Sequence, residues 1–65
     1  MQIILNGHPH NLGNVTTVAE LVSELQLKGK LAIEINQHII PRGEFEQHVL
    51  NAGDKVEIVH AIGGG

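Results

Sequence analysis

The residues of this chain best suited to chemistry are its last three, Gly63, Gly64 and Gly65, which follow a predicted strand without a polar spacer. A terminal α-carboxyl group on Gly65 is ionised at neutral pH, and it is able to attack the α-phosphorus of ATP to form a reactive acyl-adenylate. Glycine has no Cβ, so such a run passes through channels too narrow for other residues. Chain ends are often merely frayed, but we expect this glycine tail to enter a partner's active site.

The remaining polar residues do not form a convincing catalytic or metal site. His8 and His10 lie two apart around Pro9, with no Cys or Asp nearby to complete a zinc site, so we predict no bound metal. Glu44 and Glu46 do not face the same way on a helix, which argues against a paired-carboxylate hydrolase. The glycine run is not a phosphate-binding loop, because no helix follows it. These residues therefore support neither a hydrolase, nor a metal site, nor a phosphate-binding loop.

Composition narrows the possible partners and the cellular location. The chain has 65 residues, which suits one domain, and its net charge of −3 has the wrong sign for binding nucleic acid. Cysteine is absent, which excludes thiolate chemistry and disfavours a disulfide-built secreted module. No segment approaches the roughly 20 apolar residues that cross a bilayer. We expect a cytoplasmic domain that binds neither nucleic acid nor membrane.

The first half of the chain predicts a hairpin followed by a helix. The run Gln2 to Asn6 ends in Asn6-Gly7, a strong hairpin signal, and a second strand is expected around His10 to Leu12. Thr17 and Glu20 have the spacing of a capping box, so a helix should begin there. Its apolar face is Val18, Leu21, Val22 and Leu25. We expect the helix to close at Lys28-Gly29-Lys30, with Gly29 in the left-handed conformation.

The second half predicts three further strands. Leu31, Ile33 and Ile35 alternate with polar or small residues, Ile39-Ile40-Pro41 suggests a short edge strand, and Lys55 to Ile62 forms the last strand. The resulting order is an α+β roll, with a mixed sheet of four to five strands and one main helix on one face. We expect the domain to span residues 1–62 and a flexible tail to span 63–65.

Strand alternation assigns the apolar residues to two faces of this sheet. The helix should cover Ile3, Leu5, Leu31, Ile33, Ile35, Val56 and Ile58. Ile4, Val59 and Ala61 then fall on the opposite, open face. They are either isolated exposed side chains or a docking patch for a partner. His60, Ile62, Gly63 and Gly64 are further candidate partner contacts, because they lead to Gly65.

In element order and terminal glycines, the whole chain resembles the β-grasp, ubiquitin-like sulfur carriers, and within them the thiamine-pathway ThiS family. The resemblance rests on several short pieces in order, and no single one is diagnostic. These are Asn6-Gly7, Thr17-Val18-Ala19-Glu20-Leu21, Asn36-Gln37, Ile39-Ile40-Pro41-Arg42, Gly53-Asp54 and Ile62-Gly63-Gly64-Gly65.

The resemblance implies a mechanism in which this chain is a cosubstrate and not an enzyme. A ubiquitin-activating-like adenylyltransferase, using ATP and magnesium, would adenylate Gly65. Sulfur from a cysteine desulfurase persulfide would convert it to a thiocarboxylate, which donates sulfur to thiazole synthase. The chain itself would bind no cofactor.

Other carriers and modifiers share this fold and leave alternatives open. They are the molybdopterin-synthase small subunit, a tRNA-thiolation sulfur carrier, a ubiquitin-like protein modifier and a plain interaction module. This chain is shorter than molybdopterin carriers generally are, and it lacks the proline-containing approach to the tail that many of them show. Both features favour the thiamine pathway.

Overall fold

The computed structural model describes residues 1–60, in which one α-helix packs on one face of a five-stranded sheet. The elements are β1 Gln2–Leu5, β2 His8–Asn11, α1 Val18–Glu24, β3 Leu31–Ile35, β4 His38–Ile39, a 3-10 turn Arg42–Glu44 and β5 Lys55–His60. This arrangement confirms the predicted α+β roll. Ala61, Ile62 and the glycine tail lie outside the described residues.

The strand that leads to the tail, β5, occupies the centre of the sheet. The strand order is β2-β1-β5-β3-β4, with β5 parallel to β1 and antiparallel to β3. Parallel strands need a long crossover connection, and here the chain between them includes α1. Pairing with β3 continues to the end of the strand, where His60 lies opposite Leu31. His60, the last described residue, is therefore held within a central strand.

The opening hairpin closes through a two-residue turn at Asn6 and Gly7. Their φ angles are 49° and 85°, and a type I′ hairpin turn requires positive φ at both of these positions. Because the turn takes only these two residues, β2 begins at His8, earlier than the sequence predicted. Pro9 is tolerated there because β2 is an edge strand.

The capping box at the start of α1 is present as predicted. The Glu20 backbone N–H donates to the Thr17 hydroxyl at 3.2 Å, and the Thr17 backbone N–H donates to the Glu20 carboxylate at 3.1 Å. These two bonds satisfy donors that the first helical turn would otherwise leave without partners.

The prediction for the end of α1 was wrong. The helix ends at Glu24, and Gln26 adopts the left-handed conformation with φ 58°. Gln26 N–H donates to Ser23 O at 3.0 Å and Leu27 N–H donates to Val22 O at 3.1 Å, the two bonds of a Schellman motif. Leu27 and Val22 both pack against the core. Burial of Leu27 therefore outweighs the preference for glycine, and Gly29 serves a later turn.

The core lies between α1 and the sheet, as the alternation predicted. Ile3, Ile33, Ile35, Val56 and Ile58 are buried from the sheet side, and Val18 and Leu21 from the helix. Leu5 and Leu31 are only partly buried but pack against the same cluster. Connecting segments supply Leu12, Val15, Ile40, Phe45 and Leu50, which sequence periodicity did not assign. No helix within residues 1–60 is long and apolar enough to cross a membrane.

Candidate functional site

The side chain of Asn6 holds the end of β5 in place through two hydrogen bonds to Ile58. β1 ends at Leu5, so its ladder does not reach Ile58 on β5. The Asn6 amide replaces that ladder: its Nδ2 donates to Ile58 O at 3.2 Å, and Ile58 N–H donates to its Oδ1 at 2.9 Å. The sequence predicted Asn6 only as a turn residue. Its second role fixes the strand two residues before His60.

A second asparagine anchors the start of β5 through the buried carboxylate of Asp54. Asn36 Nδ2 donates to Asp54 Oδ1 at 3.0 Å, and Asn51 N–H donates to Asp54 Oδ2 at 2.8 Å. Lys55 N–H in turn donates to Asn36 Oδ1 at 3.0 Å. The sequence predicted a turn here but not this network, which joins the β3–β4 turn to β5. The strand that leads to the tail is thus fixed at both ends.

His60 lies on the helix side of the sheet, not on the open face with Val59. Alternation gives it the orientation of Val56 and Ile58, and its side chain is exposed. It forms the rim of a shallow groove of about 280 Å³, lined also by Leu5, Asn6, Leu25, Leu27 and Ile58. Val59 and His60, the predicted contacts nearest the tail within residues 1–60, therefore face opposite sides of β5.

The predicted open-face residues Ile4 and Val59 do lie on the face opposite α1. Ile4 is half-buried, whereas Val59 is 58% exposed. Ile4 lies opposite Lys55 in the register, four residues before Val59, so the two are about 13 Å apart along the strand. Lys55 and Glu57 separate them, and they do not form one apolar patch. Ala61, the third member, lies outside the described residues.

Two further apolar residues of the open face lie on β3 and β4. Ala32 is the cross-strand partner of Val59, and Ile39, which is 74% exposed, lies on the same face opposite Glu34. We call Val59, Ala32 and Ile39 the open-face patch. Sequence analysis missed Ala32 and Ile39, although carrying the same alternation onto β3 and β4 would have found them.

The histidines of β2 are remote from this surface. His8 and His10 pair with Leu5 and Ile3, on the helix side, and His10 Nε2 lies 3.7 Å from the Glu24 carboxylate. Residues 1–60 contain no group of three or more His, Asp or Glu side chains arranged to hold a metal ion. The geometry that the structure does offer is an anchored strand leading to the tail, beside an open sheet face.

Comparison with known proteins agrees with this architecture. The model of the ThiS family matches residues 3–65. The sulfur carrier protein ThiS of Escherichia coli K12 is 36% identical over the full length of both chains. A crystal structure of a thiamine biosynthesis protein (ThiS) from Geobacter metallireducens superposes with a TM-score of 0.86, at 29% identity and with both chains fully covered.

Longer proteins also contain a related segment. The chain is 41% identical to part of a thiazole synthase from Paramagnetospirillum magneticum and 42% identical to part of one from Magnetococcus marinus. In each case all of this chain is matched, and it spans about one fifth of the longer protein. From the family match over residues 3–65 and the full-length similarity to the Escherichia coli protein, we conclude that this chain belongs to the ThiS family.

Proposed function

We propose that this chain is the sulfur carrier of thiazole phosphate formation in thiamine biosynthesis. The observation that carries the proposal is the match to the ThiS family, which extends through Gly65 and so includes the glycine tail. The anchoring of β5 by Asn6 and by Asp54 supports it, because a tail presented to another enzyme's active site needs a fixed base. The chain acts as a protein cosubstrate, and partner enzymes supply the catalysis.

The proposed reaction begins at the Gly65 carboxylate. A carboxylate oxygen attacks the α-phosphorus of ATP, pyrophosphate leaves, and the acyl-adenylate forms in a ubiquitin-activating-like adenylyltransferase that binds the magnesium. A persulfide charged by a cysteine desulfurase displaces AMP, and a thiol then reduces the resulting acyl disulfide to the thiocarboxylate. Gly64 lacks a Cβ, which gives the backbone clearance in that site, and Gly63 serves as a hinge between strand and tail.

The open face of the sheet is the proposed docking surface for these partners. Val59 lies on the strand that leads into the tail and is the most exposed apolar side chain of β5. Exposed apolar side chains beside a functional segment are typical of protein-binding surfaces. Ile4, His60, Ala61 and Ile62 remain proposed contacts at the margins of this surface.

Thiazole synthase is the proposed recipient of the sulfur. Two proteins named thiazole synthase contain a segment similar to the whole of this chain, which favours a close working relation between the carrier and that enzyme. The molybdopterin and tRNA-thiolation pathways remain the alternatives, together with protein modification, in which an amine instead of sulfur takes the activated carboxyl group.

The proposal is tested by changing the length of the tail. Deletion of Gly65, or addition of one alanine after it, should abolish sulfur transfer to thiazole synthase, because the reacting carboxylate is then displaced by one residue. The readout is thiazole phosphate formed from purified adenylyltransferase, desulfurase, thiazole synthase and their small substrates. An alanine added before Met1 is the matched control and should transfer normally.

Two outcomes of this experiment would contradict the proposal. Normal transfer by the shortened and lengthened variants would show that Gly65 is not the reacting residue. Sulfur transfer by the unaltered chain to the large subunit of molybdopterin synthase, but not to thiazole synthase, would assign the carrier to that other pathway. Thermal unfolding of each variant should match the unaltered chain, since the change lies beyond β5.

A further inference from the structure

The end of β5 has no strand beside it on the side where β1 lies. β1 pairs with β5 only at Ile4 and Leu5, and the chain then turns away into β2. The Asn6 side chain takes the next position, where its amide bonds both backbone groups of Ile58. Past that amide, nothing within residues 1–60 continues the ladder towards the tail. We call this open position, beside residues 59–60, the β5 edge.

The backbone N–H and C=O of His60 point into the β5 edge. Val56 O accepts from Asn6 N–H at 2.8 Å, and both backbone groups of Ile58 bond the Asn6 amide, so alternate residues of β5 direct these groups towards β1. His60 continues the alternation, and its pair with Leu31 is therefore one in which the two residues exchange no hydrogen bonds. Within residues 1–60, both groups of His60 remain available to another chain.

The apolar groove below His60 adjoins the β5 edge on the helix side of the sheet. Leu5, Leu25, Leu27 and Ile58 supply its apolar lining. Leu5 is the last residue of β1 and faces the helix, so a longer β1 would direct its next inward side chain into this space. The three leucines are only partly buried, and a side chain that entered the groove would remove their apolar surface from water.

The open face shows the same missing neighbour at Val59. Ala32 borders Val59 on the β3 side, but no β1 residue borders it, because β1 ends at Leu5 opposite Val56. Val59 is accordingly exposed. The β5 edge thus combines two available backbone groups with an apolar groove on one face and an exposed valine on the other, which are the features that one added strand would cover.

We propose that an extended segment of thiazole synthase docks at the β5 edge when it receives the tail. The backbone of this segment hydrogen-bonds to His60. One of its apolar side chains occupies the groove and the next covers Val59, because side chains of an extended strand alternate between the two faces. The inference rests on the proposed function.

The distance to the reacting residue and the comparisons favour thiazole synthase as the occupant. Gly65 is five residues beyond His60, so a fully extended chain separates them by at most about 18 Å. An enzyme that surrounds Gly65 is therefore within reach of the β5 edge. The whole of this chain is similar to a segment of two thiazole synthases, which favours that enzyme as the one with a matching surface.

The backbone contact is tested by comparing His60→Pro with His60→Ala. Both variants lose the imidazole, but only proline removes the N–H that points into the β5 edge, and no hydrogen bond within residues 1–60 uses that N–H. With thiocarboxylated carrier, His60→Pro should have a KM for thiazole phosphate formation roughly threefold to tenfold above that of His60→Ala. The thermal unfolding midpoints of the two variants should agree, since Val59 is already extended, as a residue before proline must be.

The groove is tested separately by Leu25→Phe, with Val49→Phe as the matched control. The larger ring at position 25 takes space in the groove that the incoming side chain needs, so KM should rise. Val49 is exposed and does not line the groove, so Val49→Phe should leave KM unchanged.

Four results would overturn the inference. They are equal KM values for His60→Pro and His60→Ala, an unchanged KM for Leu25→Phe, an unfolding midpoint of His60→Pro well below that of His60→Ala, and a loss confined to adenylation, which would make the adenylyltransferase the occupant. Self-association of the free carrier that His60→Pro abolishes would also overturn it, by assigning the β5 edge to a second copy. Failure of the unaltered, thiocarboxylated chain to yield thiazole phosphate would instead overturn the proposed function, and this inference with it.

Discussion

At the residue scale, the Glu20 carboxylate accepts three hydrogen bonds, and its pKa is lowered. The main cause is the Thr16 backbone N–H, which donates to the Glu20 carboxylate at 2.7 Å; the Thr16 hydroxyl, at 2.8 Å, and the Thr17 backbone N–H add to it. Donors directed at a carboxylate favour its charged form. The same carboxylate closes the capping box, so the start of α1 depends on the charge of one residue.

The capping box predicts two measurable losses of stability. Thr17→Ala should lower the free energy of unfolding by about 1 kcal/mol at neutral pH, whereas Thr17→Ser, which keeps the hydroxyl, should change it little.

The second loss concerns Glu20. Because folding lowers the pKa of Glu20, its charge stabilises the fold at pH values above the ordinary pKa of glutamate. That contribution is lost as the pH falls through the lowered pKa. Chemical denaturation of Glu20→Gln should therefore differ from the unaltered chain at neutral pH and converge with it in acid. If the difference in unfolding free energy between the two proteins stayed constant with pH, the charge of Glu20 would not be the stabilising factor.

Residue spacing alone predicted some of these local features and not others. The capping box and the Asn6-Gly7 turn were predictable because each is a contact between neighbours in the chain. The pairing of Asn6 with Ile58 and of Asn36 with Asp54 joins residues 52 and 18 positions apart. Such bonds depend on how the strands are placed, which no local pattern specifies.

At the element scale, Gln26, which follows the end of α1 in the left-handed conformation, should lower the free energy of unfolding. Gln26 has φ 58°, a conformation that costs a non-glycine residue roughly 1 kcal/mol. Gln26→Gly should therefore raise the free energy of unfolding by up to about 1 kcal/mol, the glycine's entropy in the unfolded chain offsetting part of the gain.

The control for this prediction is a glutamine with ordinary backbone angles. Gln47 is also exposed but does not have a positive φ. Gln47→Gly should leave stability unchanged or lower it. Equal stabilisation by both substitutions in chemical denaturation would show that the gain does not come from the left-handed position.

The helix end also shows where sequence patterns give the wrong element boundary. Gly29 with its flanking lysines matched the usual signal for a helix end, yet the chain left the helix three residues earlier to bury Leu27 beside Val22.

The long strands β3 and β5 were better predicted, because their alternation is long enough to identify both faces. The short edge strand was predicted at Ile39-Ile40-Pro41 but is His38–Ile39, because Ile40 turns into the core and Pro41 precedes the 3-10 turn. Of the open-face patch only Val59 was predicted, since Ala32 and Ile39 belong to it through cross-strand neighbours.

At the scale of the whole molecule, the two faces of the sheet differ: one is buried and the other is exposed. One face packs under α1 and forms the core, while the other carries the open-face patch. The central strand β5 contributes to both faces and continues towards the tail. In the proposed function, β5 would therefore join the docking surface to the tail.

The central claim is that Gly65 becomes a thiocarboxylate, and intact mass measurement tests it most directly. The chain is incubated with ATP, magnesium, the adenylyltransferase and a cysteine desulfurase with cysteine, and fragmentation then locates any change. We expect a mass gain equal to one oxygen-to-sulfur exchange, found at Gly65 and dependent on ATP. An unchanged mass, under conditions in which the same adenylyltransferase activates another carrier, would contradict it.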